Sequence, residues 1–301
     1  MRFVKKIAPT VVIVVIFGYM IWKLARDWSR IPFQDLHVHI PLLVLSFIVL
    51  VPHFLFYSKS WQQIMAELGS RISFSQSAWM IATTQIAKYA PGRIWYMLGR
   101  VYVGKKENLS GPNLALSMIL ETCLLLISSG ILYFFSTMLT GHYSAANIIT
   151  CLILFAMAIV LMIPAVLGWM ANLALKVLKK PAIKVTVTFL QIVKLTPYFW
   201  GLWLSQIAGF YLLVNSFYTI PLSSIFTLAS AYTLSWITGF VVIFTPGGLG
   251  VREGVMTLAL STIMPTPIAI AMSLISRVWI TFFEVAAFFV GLLVKQRSAS
   301  G

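Results

Sequence analysis

The sequence predicts an all-α polytopic membrane protein with about six full spans and two broken, re-entrant helical hairpins, arranged as inverted repeats. Three observations predict it. Of 301 residues, 60% are hydrophobic and 10% charged, where a soluble domain carries about 25% charged residues. Apolar runs at about 8–24, 40–58, 112–137, 147–170, 198–216 and 268–294 each approach or exceed the ~20 residues a bilayer requires of a helix. Two further apolar segments, 74–103 and 225–262, are interrupted at Pro91-Gly92 and Pro246-Gly247. Proline removes a backbone donor and glycine carries an entropic cost, so neither segment is expected to be one continuous helix.

The chain is expected to form a single membrane domain. Residues 1–39 hold a first helix and an outer loop. That helix follows Arg2, Lys5 and Lys6 like a signal peptide, but Trp22-Lys23-Leu24-Ala25-Arg26 is a poor cleavage exit, so it is expected to stay. Residues 40–137 form repeat 1, 138–197 a connecting helix and basic loop, 198–294 repeat 2, and 295–301 a tail. Fourteen of the 22 Lys and Arg fall in the N-terminus, 58–73, 104–111, 171–196 and the tail. The positive-inside rule puts those segments, and with them both termini, on the cytoplasmic side. Each broken segment returns to its starting face, so charge fixes sidedness and leaves depth open. The 171–196 connector is basic and amphipathic, which suits the anionic inner leaflet.

A net charge of +15 in a soluble chain would point to nucleic acid; with the charge placed beside spans, no nucleic-acid partner is expected. Cys123 and Cys151 lie in apolar runs and form neither a disulfide framework nor a metal site. His37, His39, His53 and His142 lack metal-ligand spacing and read as residues bordering loops. With no Walker loop, dinucleotide fingerprint or nucleophile elbow, no cofactor and no catalytic residue is expected.

Repeat 1 reads span, hairpin entering from inside, span; repeat 2 reads span, hairpin entering from outside, span. Opposed repeats with broken helices are the architecture of alternating-access transporters, whose site lies at the repeat interface. The candidate substrate-binding residues are the ionisable groups placed within the membrane: Lys88, Arg93, Arg100, Glu121, Arg252, Glu253, Arg277 and Glu284. Such groups are costly there and face a cavity or a partner. Cations outnumber carboxylates, and arginine matches phosphate bidentately. Pro91, Gly92, Pro246, Gly247, Gly248 and Gly250 are the helix-break residues, after which half-helix N-termini would turn backbone donors toward an anion. Asn113, Ser117, Glu121 and Ser128 form one polar stripe, and Ser273, Arg277 and Glu284 another. Ser117 to Glu121 and Ser273 to Arg277 align as repeat equivalents of opposite charge. The alternative is that Arg252, Glu253, Arg277 and Glu284 form internal salt bridges that only hold helices together. Gly250 and Gly254 have the spacing of a small-residue packing contact.

Lys88-Tyr89-Ala90-Pro91-Gly92-Arg93, Gly104 to Ser110, Glu121, Thr245 to Gly254 with its Pro-Gly-Gly-x-Gly-x-Arg-Glu core, Arg277 and Glu284 together resemble the flippase-like membrane domain of the lysylphosphatidylglycerol synthase family. The resemblance covers about 40–294. It implies a lipid translocator built from two inverted repeats with re-entrant helices, in the inner or plasma membrane of a prokaryote, and carries that role onto Lys88, Arg93, Arg252, Glu253 and Glu284. The expected cargo is a charged, phosphate-bearing head group: an aminoacyl-phospholipid, another anionic phospholipid or a polyprenyl-phosphate-linked sugar. These 301 residues hold no stretch long enough for a transferase domain, so no lysyltransferase activity is expected of them. The alternatives are a membrane component of a phosphatidylglycerol lysyltransferase and a scaffold for a separate transferase or glycosyltransferase. Oligomeric state is left open.

Overall fold

Prolines and short polar caps set where the helices begin and end. The computed structural model describes residues 38–89, 95–141, 144–177, 187–242 and 248–299. Helices α1 (Ile40–Ile48) and α2 (Leu50–Glu67) make one 28-residue apolar stretch, divided at Val49 because Pro52 has no N–H to give Ile48 O. Helix α3 (Phe74–Gln85) starts at Ser73, whose hydroxyl accepts the Gln76 N–H at 3.1 Å, and tightens into a 3₁₀ turn over Ile86–Tyr89. Helices α4 (Trp95–Lys106) and α5 (Gly111–Thr140) come next. Helix α6 (Ala145–Leu161) meets α7 (Pro164–Val177) at 87°, since Pro164 cannot extend the ladder to Val160 O. Thr188 and Gln191 form a capping box that opens α8 (Phe189–Asn215). A 3₁₀ turn over Leu222–Ser224 leads into α9 (Ile225–Val241), and α10 (Val251–Leu260) and α11 (Thr266–Ala299) complete the described chain.

Among the described residues four helices are long and apolar enough to cross a membrane: 40–67, 111–140, 222–241 and 266–293, or five if α6 and the start of α7 count as one bent span. The expected spans 40–58, 112–137 and 268–294 coincide with three of these. The expected span 8–24 lies outside the described residues. The expected span 147–170 is not one straight helix but the right-angled α6–α7 pair. Helix α8 covers the expected span 198–216 as far as Asn215 and begins nearer the basic connector than expected, but it is not among the four helices apolar enough to cross. The expected tail from 295 continues α11 through Ala299. The two broken segments differ. At 12 residues each, α3 and α4 reach about 18 Å apiece, short of the ~30 Å hydrocarbon core. In the second segment the 20-residue arm 222–241 is long enough to cross, while α10 has only 10 residues.

Helices α1–α5 and α8–α11 pack as two sets in a reciprocal pattern. Helix α2 lies on α8, α3 of the first set lies on α11 of the second, and α9 of the second lies on α5 of the first. Small residues permit the close approaches: a Cβ at Gly201 would come within 2.7 Å of the Phe56 ring, and one at Gly291 within 2.9 Å of Ala82 Cβ. An apolar core with Leu50, Trp61, Met80, Phe210, Met256 and Trp279 runs through both sets, and a second, with Ile127, Ala158 and Phe199, joins α5, α6 and α8. Helix α5 is central, with 72% of its apolar window buried, against 17% for α1 and α2.

Gly248 and Gly250 lead into α10 with φ of 73° and 85°, a region where a Cβ is disfavoured. Among the described residues a Cβ at Gly254 meets nothing within 4 Å. Gly250→Ala is therefore expected to lower stability by about 1–2 kcal/mol, and Gly254→Ala, in open space on a helix, to raise it by up to about 1 kcal/mol. Thermal unfolding of the two variants in detergent checks both signs.

Candidate functional site

The polar stripe on α5 is consumed by internal bonds. Asn113 Nδ2 donates to Leu68 O at 2.8 Å and Ser70 Oγ at 3.0 Å. Ser117 Oγ accepts Trp61 Nε1 at 3.1 Å, and Ser128 Oγ accepts Trp203 Nε1 at 3.0 Å. Glu121 is the centre of the stripe. Arg100 Nη1 on α4 lies 2.5 Å from Glu121 Oε2, and Tyr57 OH on α2 donates to Oε1 at 2.5 Å. Arg100 is fully buried. Its Nε donates to Thr84 Oγ1 at 3.3 Å, its Nη2 to Gln85 Oε1 at 3.2 Å, and its guanidinium lies 5.2 Å from the Trp61 ring centroid. One arginine thus gathers α2, α3, α4 and α5, and a buried charge with this many partners is satisfied.

The second set holds a related pair with its charges exchanged. Here the carboxylate, Glu253, is on the short helix α10, and the arginine, Arg277, is on the long helix α11. Arg277 Nε lies 2.9 Å from Glu253 Oε1 at an angle that makes no hydrogen bond. Glu253 Oε2 accepts the Gly250 N–H at 2.6 Å, so the carboxylate sits on the positive end of its own helix. One donor at this N-terminus, the Gly250 N–H, serves Glu253 rather than an external anion. Gly239 on α9 lets α10 close in, a Cβ there falling 3.1 Å from Arg252 Cβ. The Arg252 guanidinium lies 5.0 Å from the Tyr232 ring centroid, and the Tyr232 hydroxyl accepts Gln206 Nε2 at 2.9 Å. Arg252 Nε is buried and has no hydrogen-bond partner among the described residues.

A third cluster joins the two sets. Lys88, in the 3₁₀ turn after α3, pairs with Glu284 Oε1 on α11. Tyr89 OH donates to Glu284 Oε2 at 2.8 Å and accepts from Thr281 Oγ1 at 2.9 Å. The end of α3 is thereby tied across to the second set.

Between the sets lies a cavity of about 620 Å³ with walls drawn from α2, α3, α4 and α5 on one side and α8, α9, α10 and α11 on the other. Of the eight expected site residues, Lys88, Glu121, Arg252, Arg277 and Glu284 line it. Arg100 and Glu253 stand behind the wall as partners of Glu121 and Arg277. Arg93 lies outside the described residues, as do Pro91, Gly92, Pro246 and Gly247. Sequence reasoning missed the neutral polar lining: Tyr57, Gln85, Gln206 and Tyr232. The two glutamines carried a signal, since each is an isolated amide in an apolar run; the tyrosines carried none. His53, expected to border a loop, lines the cavity with Nδ1 3.2 Å from Leu202 O, and facing a carbonyl that nitrogen is the donor.

Removing one partner of a buried pair leaves the other uncompensated. Arg100→Met is expected to cost roughly 3–5 kcal/mol of stability, and Arg100→Met combined with Glu121→Leu to cost less than Arg100→Met alone. Denaturant unfolding in detergent measures the difference.

Comparison with known proteins gives the chain its family. The family model described as the lysylphosphatidylglycerol synthase TM region matches residues 7–287, a span that takes in every residue lining the cavity. No curated protein matches the chain by sequence similarity. With several helices apolar enough to cross a bilayer and nearly all its length matched, the chain is a multi-pass membrane protein that belongs to the lysylphosphatidylglycerol synthase transmembrane-region family.

Proposed function

We propose that the chain is a lipid translocator: a charged head group crosses the membrane through the cavity between the two helix sets while its hydrocarbon tail stays in the bilayer. The observation that carries this reading is the cavity itself. Its 620 Å³ falls within the range of small-molecule sites, about 300–1,000 Å³. Lys88 and Glu121 on one wall, and Arg252, Arg277 and Glu284 on the other, put ionisable groups from both sets on one space. Intramembrane ionisable groups on a cavity mark pathways for polar cargo.

The reciprocal packing of α3 on α11 and α9 on α5 supports the further reading that the sets are inverted repeats, with re-entrant short helices at the two breaks. So does the exchange of charge between Arg100–Glu121 and Glu253–Arg277. In this reading Lys88–Glu284 closes the cavity across the repeat interface and opens when the sets rock apart. No nucleotide motif accompanies the site, so movement is downhill or ion-coupled, and the chain acts as a carrier rather than an enzyme. The termini lie on the cytoplasmic face of a prokaryotic plasma membrane.

The purified chain, reconstituted in vesicles with a head-group-labelled phospholipid in the inner leaflet, is expected to expose the label to an impermeant quencher much faster than protein-free vesicles do. Arg252→Ala should slow exposure by tenfold or more. Lys88→Glu and Glu284→Lys should each impair it, and the two combined should recover part of the loss. Rates equal to those of protein-free vesicles would sink the reading.

A further inference from the structure

We propose that a neutral hydrogen-bonding patch on the cavity wall, made by His53, Gln85, Gln206 and Trp236, binds the hydroxyls of a polyol head group, glycerol or sugar. The inference rests on the translocation reading above and names the part of the cargo that the uncharged wall recognises. The ionisable groups of the cavity are left to the charged part of the same head group.

All four residues line the cavity, and each has one polar atom to spare. Gln85 Oε1 accepts Arg100 Nη2 at 3.2 Å. A guanidinium offers only donors, which fixes the amide and leaves Gln85 Nε2 without a partner among the described residues. Gln206 is only 3% exposed and spends Nε2 on the Tyr232 hydroxyl at 2.9 Å. Turned the other way, the amide would still have one end on Tyr232 and the other unpaired. His53 Nδ1 donates to Leu202 O, so Nε2 is an acceptor, and it has no partner among the described residues. Trp236 packs its ring against Trp203 and Phe240, and its Nε1–H makes no hydrogen bond among the described residues. The four spare atoms are accessible rather than sealed in packing.

The four residues form one neighbourhood. His53 faces Leu202, one turn before Gln206 on α8; Gln206 holds Tyr232, one turn before Trp236 on α9. On α2, Tyr57 follows His53 by one turn, with ring centroids 6.5 Å apart, and its hydroxyl lies 3.2 Å from Gln85 Oε1.

The patch therefore offers donors at Gln85 Nε2 and Trp236 Nε1, and acceptors at Gln206 Oε1 and His53 Nε2. A phosphate oxygen only accepts and an ammonium only donates, whereas a hydroxyl does both. Lys88, Arg252, Arg277 and Glu284 on the same cavity suit the ionic groups. What uses neutral donors and acceptors together is a run of hydroxyls. A ligand that displaces water from such atoms without replacing its hydrogen bonds loses affinity, and a site built to bond a hydroxyl discriminates against the analogue that lacks it.

Equilibrium binding to the purified chain in detergent tests this with three lipids of equal charge and tail: dihexanoyl phosphatidylglycerol, dihexanoyl phosphatidylinositol and dihexanoyl phosphatidylpropanol, the last without head-group hydroxyls. Phosphatidylglycerol, phosphatidylinositol or both are expected to bind roughly ten- to a hundredfold tighter than phosphatidylpropanol, about three- to tenfold for each bonded hydroxyl. The tighter of the two polyol lipids tells an open glycerol from a ring. Gln206→Met and Trp236→Phe should each narrow the gap about three- to tenfold and leave phosphatidylpropanol binding unchanged, whereas a misfolded variant loses all three lipids. Trp236→Phe keeps the aromatic ring and removes only the donor. Equal binding of all three lipids, or a gap that survives both substitutions, overturns the inference. Vesicle transport separates the two claims. A hydroxyl preference in binding without lipid movement leaves this inference standing and removes the transport reading. Movement of all three lipids with equal binding does the reverse.

Discussion

A charge removed from water must be met by an opposite charge and a full set of hydrogen bonds, or it destabilises the fold that holds it. That requirement organises the centre of this molecule. Arg100 enters from α4 into a space where α2, α3 and α5 each present an acceptor or a ring, so α4 has one position in which its guanidinium is satisfied. Glu253 acts similarly in the second set, answering both a helix terminus and Arg277. Buried pairs are poor net stabilisers compared with apolar packing. What they contribute here is register, fixing which turn of each short helix faces its long neighbour.

The Lys88–Glu284 pair differs in kind. It is less buried, with side chains 28% and 13% exposed, and it ties one set to the other rather than a short helix to its own set. The buried Trp203–Ser128 and Trp279–Ser46 hydrogen bonds also join the sets, but neither contains a charge. Among the described residues, the contacts between sets therefore combine neutral bonds in the core with one ionic contact on the cavity, where an incoming ion can compete with it.

Much of this was legible in the sequence. Pro-Gly interruptions marked both breaks, and ionisable residues in apolar runs marked five of the groups that line the cavity. The stripes on α5 and α11 were visible as spacing, including their opposite charge at Glu121 and Arg277. Other features depend on which helices become neighbours, and sequence spacing says nothing of that. Tyr57 and Tyr232 look like ordinary aromatic residues until α5 and α10 are packed beside them. Arg100 and Glu253 could not be told from cavity residues, because burial behind a wall and exposure on it need the same residue types. Pro164 was in plain view, yet proline is tolerated inside membrane helices, and whether it kinks or turns the chain is set by the packing of the helices on either side of it.

That turn bears on more than the shape of the connector. A chain that crosses a layer an odd number of times ends on the far side, and one that crosses an even number of times returns. Helices α6 and α7 lie between the two sets and, bent by 87°, together count as at most one span. In the proposed reading, this parity makes α8 start from the face opposite to that of α1, so that one copy of the motif is upside down relative to the other. Had the connector crossed twice, the two sets would have run in the same sense.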